Sequence, residues 1–192
     1  PSIRVSLLGH WVGDEILPLR RVQQLMRDIA EQTQMTVVLG AVSGGYCQYV
    51  RVIEGTTPVR YHVKAGTRRC LSRSTLGRVL LAMASPVQRA QLIAESLSVW
   101  DGDEAPPSPE DIAMDVAQVA ARHHAFNSGL VNAYAAMLAI PLEVHPSTRP
   151  LALGLAAPKD LFRGRRQELL QIMRRVLGSL GAADHHATQK TA

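Results

Sequence analysis

The chain has 192 residues, 46% of them hydrophobic and 4% aromatic, with 21 Lys and Arg against 16 Asp and Glu and a formal charge of +5. A chain of this length and apolar content buries a real core, which excludes wholesale disorder. No run approaches the roughly 18 uninterrupted apolar residues of a membrane-spanning helix.

The first predicted element is a helix. Pro18 suits a first turn, and Val22, Leu25, Met26 and Ile29 recur on one face while Gln23, Arg27, Asp28 and Glu31 fall on the other. Met35–Val42 and Tyr46–Ile53 are rich in β-branched and aromatic residues and flank Ser43-Gly44-Gly45, which predicts a hairpin. Val59–Val63 alternates as a third strand of an antiparallel meander. Beyond Ala65-Gly66, Ser74 or Thr75 caps a short helix through Leu81 and Met83. Ser85-Pro86 opens a second helix to about Leu97. Trp100–Pro107 reads as a surface loop, and Ser108-Pro109-Glu110-Asp111 as a capping box for a helix towards His123 with Ile112, Val116, Val119 and Ala120 inward.

Asn127-Ser128-Gly129 breaks the pattern, and Ala133–Val144 and Leu151–Ala156 form a second predicted hairpin around His145–Pro150. Leu161–Leu180 closes the chain as a helix with Leu169, Ile172, Met173, Val176 and Leu177 on one face. The expected organisation is one α+β domain over 1–180, with 1–16 as the end of a linker and 181–192 as a flexible tail.

Chemistry is sparse. Gly-x-Ser-x-Gly, Gly-Lys-Ser/Thr phosphate loops and dinucleotide glycine fingerprints are absent, so no cofactor is expected. The N-terminus reads as no signal peptide, and two cysteines make neither a disulfide framework nor a metal spacing, so the expected compartment is the cytoplasm. Cys47 lies mid-strand and reads as a small hydrophobe. Cys70 with His62 is the pair an enzymatic reading would use as nucleophile and base. His123-His124 and His185-His186 are neighbours that point apart on a helix, so no metal site is expected. The basic clusters Lys64–Arg78, Arg163-Gly164-Arg165-Arg166 and Arg174-Arg175 alternate with apolar residues and read as solvated faces rather than phosphate stripes. Zinc-finger spacing, aromatic-basic RNA motifs and helix-turn-helix patterning are missing.

The segment Gly66–Leu81 is the most informative. A polar loop entering a helix at Ser74 and Thr75 presents unpaired backbone N–H groups and a positive dipole end, which suit a carboxylate or phosphate. The same residues also make an ordinary N-cap, and the residues alone leave both readings open.

Here the sequence resembles the effector-binding domain of the isocitrate lyase regulator (IclR) family of bacterial transcription factors. The resemblance lies in Glu54-Gly55 before Pro58-Val59-Arg60, in Ala65-Gly66-Thr67-Arg68 through Leu71, and above all in Ser74–Ala82. Ala139-Ile140-Pro141 and Leu151–Leu155 resemble the family's closing hairpin, and the likeness runs from about Arg4 to Leu180. It implies a GAF-like sensor fold, an antiparallel sheet flanked by helices with a small-molecule pocket on one face. It also implies a homodimer or homotetramer, and contact with operator DNA through a winged helix-turn-helix domain outside this chain. Carried over by position, the resemblance puts the amides of Ser74, Thr75 and Leu76 at a ligand carboxylate, Tyr61 as a ring wall, Asn127 near a commonly acidic position, and Ala135, Gly154 and Ala156 on the floor. So small and apolar a floor favours a bulkier or aromatic acid over pyruvate. An enzyme using Cys70 or His62 would turn over a substrate, and a structural oligomerisation domain would bind no metabolite.

Overall fold

The computed structural model describes residues 16–58, 62–102, 104–143 and 149–188. Helix α1 (Ile16–Thr33) leads into β1 (Thr36–Ser43), β2 (Tyr46–Ile53) and β3 (Arg68–Cys70). Three helices follow, α2 (Thr75–Met83), α3 (Pro86–Ser98) and α4 (Pro109–Arg122). Strands β4 (Ala125–Ser128), β5 (Ala135–Leu142) and β6 (Leu151–Pro158) then precede a 3-10 turn (Lys159–Phe162) and α5 (Arg166–Thr188). The six strands make one sheet in the order β3-β2-β1-β6-β5-β4 with antiparallel neighbours throughout. The fold is α+β, as expected.

Strand alternation splits the core in two. Val37, Leu39, Leu138, Ile140, Leu153 and Leu155 pack on one face with Val22, Met26 and Ile29 of α1 and Leu169 and Met173 of α5. Val38, Cys47, Tyr49, Ala139 and Ala152 pack on the other with Leu76 and Leu80 of α2, Ile93 of α3, and Ile112 and Val116 of α4. Each fully buried large aliphatic side chain contributes about 1.5–3 kcal/mol, so both helical layers are needed. The apolar faces expected for the first and last helices are the ones buried, with Ile172 and Leu177 only partly covered.

The structure corrects four local expectations. The third strand among the described residues is Arg68–Cys70, whereas His62 and Val63 of the expected Val59–Val63 strand lie in no strand and 59–61 lie outside the described residues. Pairing beside β2 begins at the turn of Gly66 (φ +89°) among the described residues, where Gly66 N–H donates to Tyr49 O at 2.7 Å and Tyr49 N–H to Thr67 O at 2.8 Å. Val63 is buried in the second core, which accounts for its apolar character. Asn127 and Ser128 are strand, not turn. His123 takes the left-handed conformation (φ 54°) that ends α4 and turns the chain into β4, and the reversal waits for Gly129 (φ +85°). Leu161 sits in the 3-10 turn, and α5 begins after Gly164 (φ +70°) and continues to Thr188, beyond the expected end at Leu180. At Ser108 the hydroxyl accepts from Asp111 N–H and donates to the Asp111 carboxylate at 2.7 Å, whereas the reciprocal box forms at Ser85 and Gln88. The linker expected over 1–16 falls, apart from Ile16, outside the described residues.

Candidate functional site

The chain leaves β3 through a tight turn, Leu71–Ser74, that aims the start of α2 at the sheet. Buried hydrogen bonds hold this turn. The Cys70 thiol donates to Ser96 O at 3.2 Å, Ser96 Oγ donates to Ile93 O at 2.9 Å, and the Ser72 and Ser96 hydroxyls are bonded to one another. Arg78 Nε reaches back to Ser72 O at 3.2 Å. Gly77 lies so close to the turn that an added Cβ would stand 2.2 Å from Leu71 O.

Ser74 is the N-cap of α2. Its side chain accepts from Gly77 N–H at 3.0 Å and its carbonyl from Arg78 N–H at 3.0 Å. The N–H groups of Thr75 and Leu76 have no acceptor among the described residues. Two free donors and a positive helix end therefore stand together, the arrangement that attracts an anion.

Beside this tip lies a hollow between α2, β2, β4, β5 and the β4–β5 connection. Ser74, Thr75, Asn127 and Ala135 line it, four of the eight residues named from the sequence, together with Tyr49, Leu130, Val131, Asn132, Ala136 and Met137. Its free volume is about 30 Å³, space for about two waters. Asn127 Oδ1 accepts from Leu130 N–H at 3.0 Å, so Asn127 also anchors the connection that walls the hollow.

The remaining named residues are placed differently. Leu76 is fully buried, and its side chain covers Gly154: a Cβ on Gly154 would stand 3.2 Å from Leu76 and 3.1 Å from Met137 Sδ. Ala156 is buried in β6 opposite Met137. Tyr61 lies outside the described residues. The aromatic ring at the hollow is that of Tyr49. The period-two step from Cys47 to Tyr49 carries that signal, since both side chains must share a sheet face.

The residues of the enzymatic reading are engaged elsewhere. His62, exposed, pairs with Glu54 at 2.9 Å. Burial pushes the Cys70 thiol above its ordinary range, offset in part by backbone hydrogen bonds at Arg73 and Ser72. Burial pushes Cys47 from 9.0 to about 12, against a smaller opposing effect of a Ser74 hydrogen bond. Raised values leave thiols protonated, the opposite of nucleophile activation. Ellman's reagent at pH 8 is expected to modify neither cysteine in the folded protein and both after unfolding. Above about pH 9 the unfolded thiols ionise first, so their contribution makes stability fall as pH rises towards 12. Urea midpoints measured from pH 8 to 10.5 check the slope. Among the described residues no group of three His, Cys, Asp or Glu could hold a metal ion, and no helix is long and apolar enough to cross a membrane.

The fold is a small α+β domain with helices on both faces of one antiparallel sheet, and its class follows from the family it matches. The chain belongs to the IclR family: the family model "Bacterial transcriptional regulator IclR C-terminal" matches residues 17–179. The HTH-type transcriptional regulator BhcR of Paracoccus denitrificans (strain Pd 1222) is 27% identical over 110 residues, which are 57% of this chain and 39% of that protein. The matched segment thus spans about two-fifths of the curated relative's length. Among solved structures, the effector domain of an IclR regulator from Acinetobacter sp. ADP1 superposes with a TM-score of 0.79 at 18% identity, covering 88% of this chain and 98% of that one. The C-terminal domain of E. coli KdgR does so with a TM-score of 0.70 at 19% identity, covering 86% and 96%. The architecture is the GAF-like one of these effector domains.

Proposed function

We propose that this domain senses a small organic or aromatic carboxylate whose carboxyl group docks on the N–H groups of Thr75 and Leu76. The single observation that carries the reading is the unpartnered amide of Thr75, with that of Leu76 next to it in the same helical turn, beside a hollow that also holds Tyr49 and Asn127. Tyr49 offers a ring face, Asn127 and Ser74 fix the polar end, and Ala135 leaves room for the ligand's carbon frame. A hollow of about 30 Å³ is too small for an acid of several carbons, so binding requires the Leu130–Asn132 wall to move outwards.

In the proposed scheme the acid favours one of two quaternary arrangements of a homodimer or homotetramer. That shift changes occupancy of operator DNA through a winged helix-turn-helix domain elsewhere in the protein. Such a ligand acts only through its differential affinity for the two arrangements.

The test is a panel of aliphatic and aromatic acids followed by amide NMR and thermal unfolding. An effector at 100 times its dissociation constant adds about 2.7 kcal/mol of stability, which raises the midpoint by about 5–11 °C for a domain of this size. The Thr75 and Leu76 amides should shift in step with saturation. Saturable binding that leaves those amides unmoved, or no response to any acid, would refute the site. Tighter binding of pyruvate than of every aromatic acid would refute the preference for bulk.

A further inference from the structure

The arginines of the run Arg163–Arg166 do not share one role. Arg163 pairs with Asp160 at 2.9 Å, and Arg165 forks onto both oxygens of Glu168 at 3.0 and 2.8 Å. Arg166 has no acidic partner among the described residues, and its guanidinium carbon lies 4.8 Å from the centre of the Phe126 ring. Together with Thr75, Arg78, Arg122, His124 and Asn127 it lines a hollow of about 230 Å³ that runs from the start of α2 along α4 and the free edge of β4 to the start of α5. Asp115, the one carboxylate in that lining, is taken by Arg78 at 2.7 Å. The side-chain bond of Arg122 is a 3.3 Å contact to the neutral Gln118. Two guanidinium charges, on Arg122 and Arg166, are therefore left without a carboxylate among the described residues at one concave surface. A second hollow of about 390 Å³ shares His124, Phe126 and Arg166 with the first and continues over Leu138 and Leu170.

We propose that this groove, which adjoins the α2 tip at Thr75 and Asn127, is a second ligand site whose own determinants are Arg122 and Arg166 and that binds a small phosphate monoester with an organic group. A carboxylate has two oxygens and satisfies one arginine fork, whereas a phosphoryl group has three terminal oxygens and up to two charges, enough for two forks. The charge left over at Arg122 and Arg166 matches that dianion. The adjoining hollow, floored by Phe126, Leu138 and Leu170, receives the organic part. The basic run that read as a solvated face thus hides one arginine with a different task.

Phenyl phosphate is the probe, with amide NMR and calorimetry as readouts. Saturable shifts are expected at His124–Phe126 and Arg166, which line this groove and not the first hollow. R122S/R166S should weaken binding by about tenfold or more, the scale of lost charge-assisted hydrogen bonds. R163S/R165S removes the same net charge from two arginines that line neither hollow and should stay within about twofold, the change expected of screened surface charge. The amide spectrum of each variant reports that it is folded. Absence of saturation, or equal weakening in both double variants, would overturn the site. So would duplex DNA binding that depends on Arg122 and Arg166 without any response to phenyl phosphate, which would assign the groove to a nucleic-acid backbone. Carboxylate binding at Thr75 and Leu76 should survive R122S/R166S, so failure at either site is read separately.

Discussion

Gly77→Ala is expected to lower stability by about 3 kcal/mol, the upper part of the range for overpacking, and to drop the melting midpoint by about 6–12 °C. Helix propensity alone predicts the reverse, because alanine is favoured over glycine by about 1 kcal/mol inside a helix. Contact decides the sign. The new methyl would stand 2.2 Å from Leu71 O, 2.6 Å from Leu71 Cα and 2.7 Å from Leu71 C, all backbone atoms of a turn fixed by buried hydrogen bonds. Gly178 in α5 is the internal control, since nothing lies within 4 Å of a Cβ there. Gly178→Ala should therefore follow propensity and raise the midpoint. Differential scanning calorimetry on both variants checks the pair, and a Gly77→Ala protein that melts no lower would mean the turn yields.

Thr75→Pro is expected to leave the fold nearly unchanged while weakening carboxylate binding by about 10- to 100-fold. Thr75 is the first residue of α2, where proline is well tolerated because that N–H has no intrahelical acceptor. Ser74 already holds the extended conformation a following proline demands (φ −104°, ψ 146°). The lost donor is one of the two offered to the ligand, and a hydrogen bond to a charged group is worth about 1.5–3 kcal/mol. Thr75→Val separates the amide from the hydroxyl: it keeps the N–H and should retain most of the affinity. Calorimetry against the tightest acid of the panel decides. Equal affinity in the proline variant would move the carboxylate away from the tip.

What was legible in the sequence was local. The stripe of Val22, Leu25, Met26 and Ile29 foretold α1, and Ser74, Ser85 and Ser108 marked three helix starts, because a cap is decided by a residue and its near neighbours. Ser74 and Thr75 were legible for the same reason. Gly40, beneath Leu76, was not: its Cβ would stand 2.8 Å from Cys47 Sγ, a constraint visible only after β1, β2 and α2 have assembled. Tyr49 and Met137 reach the same hollow from strands distant in sequence, so strand order had to be known before they could be grouped. The true third strand was hidden because three residues, two of them arginines, carry little alternation, and pairing there is driven by the neighbouring backbone. Arg166 resembles Arg163 and Arg165 in sequence, and only the positions of Asp160 and Glu168 separate them.

The sheet that separates the two helical layers also joins them. In β6, Leu153 and Leu155 belong to the cluster packed with α1 and α5, while Gly154 between them bears the weight of Leu76 from the opposite side. At Gly154 the backbone of one strand is all that separates Leu76 from the cluster that holds Leu153 and Leu155. A bare glycine at that point lets Leu76 rest on the β6 backbone itself, since a Cβ there would stand 3.1–3.2 Å from Met137 and Leu76.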